Sequence, residues 1–374
     1  MNRGPKIESK RSGDALLLIT TLALVALGVA MVYSASSIVA QEKFGDGYYF
    51  LKRQALYAGL GLLLMLLLMR MNYQWLRRLA LPGLLISLVL LAALFVPSLG
   101  VDIGGARRWL KIAGLSLQPS EVAKVGLVLY LAHSLARKGE EVRHFFFGYL
   151  PPLTVSVFVA GLVFVQPDFG NAALLFLMAA ILLFLGGARL SHLALTGVAA
   201  LPAVYFLIET AAYRHNRVMA FLDPWKDPMK SGFQIVQSYL AIGSGGLSGL
   251  GLGNGRQKLF YLPEAHTDFI LSVIGEELGL LGMMVVLLAF AILVVRGFCI
   301  ALKSPDIFGY YLGLGLTFLL GFQAAVNMGV VTGLLPTKGL TLPFISFGGS
   351  SLVLNMVAVG LLLSISSRRQ LGQA

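Results

Sequence analysis

Charge is scarce in this sequence. Of 374 residues only 12% are Asp, Glu, Lys or Arg, about half the share usual in a soluble domain, while 57% are hydrophobic. Mean hydropathy is +0.82. A water-soluble fold of this length cannot hide so much apolar surface. A bilayer core accepts it, at about 20 apolar residues per helical crossing. Cysteine is nearly absent too: Cys299 stands alone, which excludes an internal disulfide and argues against thiol redox chemistry. There is no Walker A pattern, no HExxH and no CxxC, and the glycines at 249, 251, 253 and 255 do not fit GxGxxG. ATP hydrolysis and structural zinc are therefore not expected. No low-complexity tail, internal repeat or soluble domain interrupts the apolar chain. Acidic residues are outnumbered, 17 against 29 basic, for a net charge of +12. In a soluble protein that excess would suggest nucleic acid. In a membrane protein it reads as basic residues kept on cytoplasmic loops and facing anionic lipid, so no nucleic-acid partner is expected.

What is present is a series of long uncharged runs: 15–41, 54–69, 79–101, 145–167, 169–188, 190–208, 278–295, 307–337 and 339–367. A fourth helix begins near Pro119 and carries Glu121 and Lys124. The eighth begins near Asp268 and extends the run at 278–295 backwards through Glu276 and Glu277. The expected fold is thus an all-α polytopic membrane protein of about ten transmembrane helices, a single domain over 1–374. The first run is too long for the roughly 7–15-residue core of a cleavable signal peptide. An even number of crossings puts both termini on one side. With a cytoplasmic tail at 1–14, the inner segments hold fifteen basic residues: Arg3, Lys6, Lys10, Arg11, Arg70, Arg77, Arg78, Arg137, Lys138, Arg143, Arg189, Arg296, Lys303, Arg368 and Arg369. The short outer loops hold seven, which supports cytoplasmic termini. The segment 209–267 becomes a long extracytoplasmic loop between helices seven and eight. Its stretch 231–255 is uncharged with eight glycines, so it is expected as a loop dipping into the membrane where protein or water covers its backbone.

Charges near or in a membrane are functional candidates by default. Gly104-Gly105-Ala106-Arg107-Arg108-Trp109-Leu110-Lys111 places three cations and a tryptophan on an outer loop, where cations are disfavoured. They suit either a phosphate or an amphipathic segment lying on lipid headgroups. In Gln118-Pro119-Ser120-Glu121-Val122-Ala123-Lys124, Pro119 suits the first helical position. Glu121 and Lys124 share one helix face, either as a functional pair or as a self-neutralising helix start. In Leu262-Pro263-Glu264-Ala265-His266-Thr267-Asp268, the side chains of Glu264, His266 and Asp268 gather at the outer surface, with Glu276 about two turns deeper; Thr267 or Asp268 could also be an ordinary helix cap. Lys338, the only charge between Asp306 and Arg368, lies in Leu335-Pro336-Thr337-Lys338-Gly339-Leu340-Thr341-Leu342-Pro343-Phe344, ahead of a Gly348-Gly349-Ser350-Ser351 turn.

Several of these stretches resemble one family. They are Ala106-Arg107-Arg108-Trp109, Gln118-Pro119-Ser120-Glu121, Gln166-Pro167-Asp168-Phe169-Gly170 and Ala241-Ile242-Gly243-Ser244-Gly245-Gly246, with 262–270, Gly275-Glu276-Glu277-Leu278-Gly279 and 346–351. Together they are similar, in order, to the SEDS proteins (shape, elongation, division and sporulation), ten-helix bacterial peptidoglycan glycosyltransferases. Gly333-Leu334-Leu335-Pro336-Thr337-Lys338-Gly339 looks like the division branch; the elongation branch usually lacks that lysine. Phe347 stands where tyrosine is common, and Phe260 where some members carry an acid. The resemblance implies polymerisation of lipid II into glycan strands with inversion, at the outer face of the bacterial cytoplasmic membrane and, for the division branch, at the septum. It also implies a class b penicillin-binding transpeptidase and other division proteins as partners. Asp268 is the expected catalytic base. Arg107, Arg108, Trp109, Glu121, Lys124, Glu264, His266, Glu276 and Lys338 are the expected substrate-binding residues. No cofactor is evident, with a divalent cation (Mg or Mn) left open. The rival readings are a lipid II flippase, which needs charge through the full membrane depth, and a non-catalytic scaffold for the transpeptidase.

The charge bias predicts sidedness. After replacement of Cys299, a cysteine at Lys226 should react with an impermeant thiol reagent added outside cells, and one at Lys303 should not. The reverse pattern would refute the topology.

Overall fold

The computed structural model describes residues 14–96, 99–103, 106–112, 115–209, 212–257 and 262–369. The basic cluster Arg3, Lys6, Lys10 and Arg11, the Gly104-Gly105 pair and Phe260 lie outside the described residues.

Each of the ten expected segments forms a helix: α1 (Ala15–Phe44), α2 (Tyr49–Arg70), α3 (Trp75–Ala93), α4 (Pro119–Lys138), α5 (Leu150–Val165), α6 (Phe169–Leu185), α7 (Leu190–Glu209), α10 (Ile270–Leu302), α11 (Ile307–Val331) and α12 (Gly349–Arg369). Two more, α8 (Ala212–Leu222) and α9 (Phe233–Gly245), lie within 209–267. Among the described residues seven helices are long and apolar enough to cross a membrane, with two shorter apolar ones at Phe169–Leu185 and Leu190–Pro202.

The few acids at helix starts act as caps. Asp14 accepts from the Leu17 N–H at 3.0 Å, Asp168 from Asn171 at 3.3 Å and Asp306 from Gly309 at 2.8 Å. Asp14 also pairs with Arg296, whose Nε is 2.9 Å from Oδ2, tying the start of α1 to the far part of α10. That contact marks the end of the bundle where α1 starts, and it puts Asp268, just before α10, at the opposite end. Small residues let the inner helices approach closely. A Cβ on Gly126 of α4 would meet Ser87 Oγ of α3 at 2.3 Å, and one on Gly313 of α11 would meet the Ala301 Cβ of α10 at 2.9 Å.

Several expected boundaries are corrected. The run 79–101 ends as helix at Ala93, and the segment after it is not helical. It forms a three-stranded antiparallel sheet, β1 (Gly100–Ile103), β2 (Ala106–Ile112) and β3 (Leu115–Leu117), in the order β1-β2-β3. The fold is therefore mostly rather than wholly α. The reason is in the alternation: Arg107 and Lys111 are exposed on one face of β2, while Leu110 is buried on the other. The runs 307–337 and 339–367 shorten to α11 and α12, because 332–348 folds back as irregular chain carrying Pro336 and Pro343.

The glycine-rich stretch is half helix. Apolar Ile235, Val236 and Ala241 carry α9 through Gly245; beyond it Gly246, Gly249, Gly251 and Gly253 all take positive φ. This loop inserts into a break in α10, where Gly279 has φ 68° and ψ −166°. The N–H groups of Leu250 and Gly251 donate to the carbonyls of Glu276 and Glu277 at 3.0 Å, and those of Leu280 and Leu281 donate to Gly246 and Leu247 at 2.9 and 3.1 Å. The backbone groups freed by the break are thus satisfied by protein, which is what a bilayer demands.

A Cβ on Gly245 would lie 1.9 Å from the Gly275 carbonyl oxygen, whereas one on Gly243 meets nothing within 4 Å. Gly245→Ala should therefore cost about 1–3 kcal/mol by overpacking and lower the thermal unfolding midpoint. Gly243→Ala should leave it nearly unchanged.

Candidate functional site

The turn 263–269 leads into α10, and its carbonyls are held one after another. The Phe347 N–H donates to His266 O at 2.9 Å, Ser346 Oγ to Thr267 O at 2.6 Å, and Asn327 Nδ2 to Asp268 O at 2.8 Å. Asn327 Nδ2 also donates to Leu340 O at 2.7 Å, so one amide on α11 grips both the turn and the folded-back segment 332–348. The Asp268 side chain is held against that segment: a Cβ on Gly339 would come within 3.1 Å of Asp268 Oδ2.

Asp268 does not cap α10. The cap position is Phe269, no side chain fills it, and the helix starts at Ile270 rather than at Thr267 or Asp268. The Thr267 hydroxyl turns back to Glu264, 2.8 Å from Oε2. Burial pushes the Asp268 carboxyl up to about 7, and the negative charge of Glu264 adds to the shift; Arg217 and Arg108 oppose it. His266 is packed among rings, tilted against Phe50 at 4.5 Å and Phe347 at 5.8 Å. Burial holds it below the usual histidine range, so at neutral pH it is an uncharged wall. Glu264 is exposed and takes a left-handed φ of 57°, a conformation a non-glycine residue holds only at a cost.

The expected cations separate into two kinds. Lys124 is buried and committed: Nζ lies 2.7 Å from Glu121 and 2.8 Å from Gln323 Oε1. Gln323 passes the network on to the Thr341 carbonyl at 3.0 Å. The pair thus braces α4, α11 and 332–348 from below the site. Arg108 donates through Nε to Gln166 O at 3.2 Å and also to Pro167 O, fixing β2 to the turn before α6. Arg107 is exposed on β2, and Trp109 beside it is half-buried. Lys338 lies 5.2 Å over the Phe169 ring. Burial holds its ammonium below the usual lysine value, so a bound anion would be favoured there. Among the described residues, neither Arg107 nor Lys338 has a carboxylate within ion-pair distance.

Glu276 does not join this group. Its carboxylate accepts from the backbone N–H of Arg256 at 2.7 Å and of Gln257 at 3.2 Å, and Glu277 accepts from Ser34 Oγ at 2.7 Å and from the Gly253 N–H at 3.0 Å. Both latch the glycine loop. Among the described residues no three His, Cys, Asp or Glu side chains converge as a metal site would. Sequence reasoning missed Asn327, Gln323 and Ser346. Gln323 and Asn327, four residues apart on an otherwise apolar α11, carried a usable signal, since polar side chains in a membrane helix are as costly to leave unpaired as charges are rare.

The family model that matches is that of the FtsW, RodA and SpoVE proteins, described as cell cycle proteins, and it spans residues 14–371. The chain belongs to this family. The probable peptidoglycan glycosyltransferase FtsW of Geobacter sulfurreducens is 50% identical over 368 residues, covering 98% of this chain and 99% of that one. Stage V sporulation protein E of Bacillus subtilis is 42% identical over 357 residues, covering 96% and 98%. Among solved structures, one of a peptidoglycan synthase complex that coordinates polymerization and crosslinking matches with a TM-score of 0.79 at 35% identity, covering 96% of this chain and 98% of that one. The rod shape determining protein RodA of Thermus thermophilus matches with a TM-score of 0.71 at 32% identity, covering 98% and 99%. The SEDS resemblance read from the motifs is thereby borne out, and the protein is an integral membrane protein of the bacterial cell membrane.

Asn327→Leu would strip the shared donor from two carbonyls enclosed by the site. The expected loss is about 1–3 kcal/mol of stability, seen as a lower unfolding midpoint in detergent.

Proposed function

We propose that the protein is a peptidoglycan glycosyltransferase that polymerises lipid II at the outer face of the cytoplasmic membrane, with Asp268 as its general base. The observation that carries this reading is the Asp268 carboxyl: free of any capping duty, lying against Gly339 of the folded-back 332–348 segment, and raised to about 7. A sugar hydroxyl is a poor nucleophile, and a carboxylate poised near the working pH is suited to take its proton. The acceptor 4-hydroxyl attacks the anomeric carbon of the lipid-linked donor chain, Asp268 receives the hydroxyl proton, and the bond to undecaprenyl pyrophosphate breaks with inversion. Lys338 and Arg107, which have no carboxylate partner among the described residues, would neutralise the departing pyrophosphate. Because the leaving group is already good once neutralised, no second carboxylic acid is required, unlike in glycoside hydrolysis.

The positive-inside bias supports an outward-facing Asp268 end. The flippase reading needs free charge through the membrane depth, but Glu121 and Lys124 neutralise each other and Glu276 serves the loop backbone. The similarity to FtsW proteins and to a synthase complex supports septal wall synthesis with a penicillin-binding transpeptidase as partner, a partnership compatible with catalysis.

With purified protein and lipid II, polymerisation should rise with pH, reach half its maximum near 7 and then level off, since Asp268 must be ionised to accept a proton. Asp268→Asn should reduce the rate by about 10²- to 10⁴-fold while inserting and melting normally. The sign for stability is opposite. An unfolded Asp ionises near 4, so the folded state alone binds this proton between about 4 and 7, and its stabilising contribution is lost as pH rises through 7. Polymerisation by Asp268→Asn at close to the wild-type rate would overturn the assignment.

A further inference from the structure

Helix α1 is longer than a membrane requires. Its 30 residues span about 45 Å at 1.5 Å per residue, against a hydrocarbon core of roughly 30 Å. Since its start is tied to Arg296, at the end of the bundle opposite Asp268, the excess projects beyond the core on the Asp268 side. There, with the turn to α2, it encloses an open cavity of ≈ 590 Å³. One wall is aromatic: the Tyr33 and Tyr48 rings stack at 5.4 Å, only 4° from parallel, and both are exposed. The rim is polar and ordered. Gln41 accepts from the Gly47 N–H at 3.0 Å, and Asp46 accepts from the Tyr48 N–H at 2.9 Å and from Lys52 Nζ at 2.7 Å. Glu42 lines the same cavity, exposed and with no partner among the described residues.

A flat, exposed aromatic wall beside carboxylate and amide groups is the chemistry that takes a pyranose ring. The axial C–H face of the sugar lies on the rings, and its hydroxyl and acetamido N–H groups donate to the acids. An acyl chain would leave Glu42 unpaired and desolvated, and an anion would be repelled by Glu42 and Asp46. The volume falls within the range of small-ligand sites.

The cavity is also joined to Asp268. Phe44, which follows directly on the cavity wall, stacks on Tyr49 at 3.9 Å; Tyr49 meets Phe50 at 5.3 Å, and Phe50 meets His266 at 4.5 Å, two residues from Asp268. These ring contacts run from the α1–α2 turn that forms the cavity to the turn that carries Asp268.

We propose that the cavity at Tyr33, Glu42 and Tyr48 is a distal saccharide subsite that holds the N-acetylated glycan strand after it leaves Asp268. The proposal rests on the glycosyltransferase reading for the identity of the strand, and on the cavity alone for the binding of sugar. Holding the strand keeps it from dissociating between additions, so the subsite controls product length rather than the chemical step.

The test uses the full chain in lipid nanodiscs, with two readouts. For binding, the probe is the soluble tetrasaccharide of N-acetylglucosamine, followed by saturation-transfer NMR and titration calorimetry. For function, strand length and initial rate are measured on gels after supplying lipid II. Wild type should bind the tetrasaccharide. Tyr48→Ala and Glu42→Gln should each weaken it at least tenfold and yield shorter strands at an unchanged initial rate. Tyr48→Phe, which keeps the ring, should behave as wild type and separates loss of stacking from damage to the fold. Absence of binding to wild type, equal binding by Tyr48→Ala, or unchanged strand length in Tyr48→Ala would each overturn the proposal, and the tyrosines would then be headgroup anchors only. Tetrasaccharide binding that depends on Tyr48, in a protein that never polymerises lipid II, would refute the glycosyltransferase reading and leave the sugar site standing.

Discussion

A backbone N–H or carbonyl within a bilayer has no water to turn to, so every departure from regular helix must be paired inside the protein. Two departures shape this molecule. At Gly279 the break in α10 is filled by the glycine loop, with four backbone hydrogen bonds exchanged between them. At 332–348 the chain folds back, and its polar groups are met by Gln323, Asn327 and Ser346. The irregular segments are built as firmly as the helices, and they are where the chemistry-bearing side chains collect.

The same economy governs the charges. Three acids cap helices; one buried pair, Glu121 and Lys124, braces α4 against α11; Glu276 and Glu277 hold backbone amides. Once these duties are assigned, Asp268, Lys338 and Arg107 stand apart. They lie on three separate pieces of chain: the turn before α10, the segment before α12 and the sheet after α3. The first two meet, since Gly339 next to Lys338 lies against the Asp268 carboxylate, and the sheet contributes through Arg108, whose charge acts on the same carboxyl; a buried carboxyl with a raised pKa in such surroundings is a candidate reaction site.

Much of this was legible from charge and hydropathy alone. A chain with this little charge must cross a membrane, and uncharged runs of about 20 residues mark where. The ten helices follow from that spacing, and Asp268 and Lys338 stood out because they were rare. Polar partners on apolar helices were less visible: Asn327 matters for the two carbonyls it reaches, Asp268 O and Leu340 O, which come from opposite sides of the site.

The sequence by itself determined the membrane class, the positions of the helices, the family and the short set of candidate residues, because hydropathy, charge and motif are local properties. Tertiary structure alone decided what each candidate does. Arg107 and Arg108 became strand residues because the alternation on β2 needs a bundle to bury Leu110 against. Glu276 became a latch because Gly279 opens the helix beside it. Asp268 was released from capping because Phe269 stands at the start of α10, and its carboxyl was raised by burial and by the charge of Glu264, with Gly339 lying against it. Burial and proximity are relations between distant parts of a chain, and they exist only once it is folded.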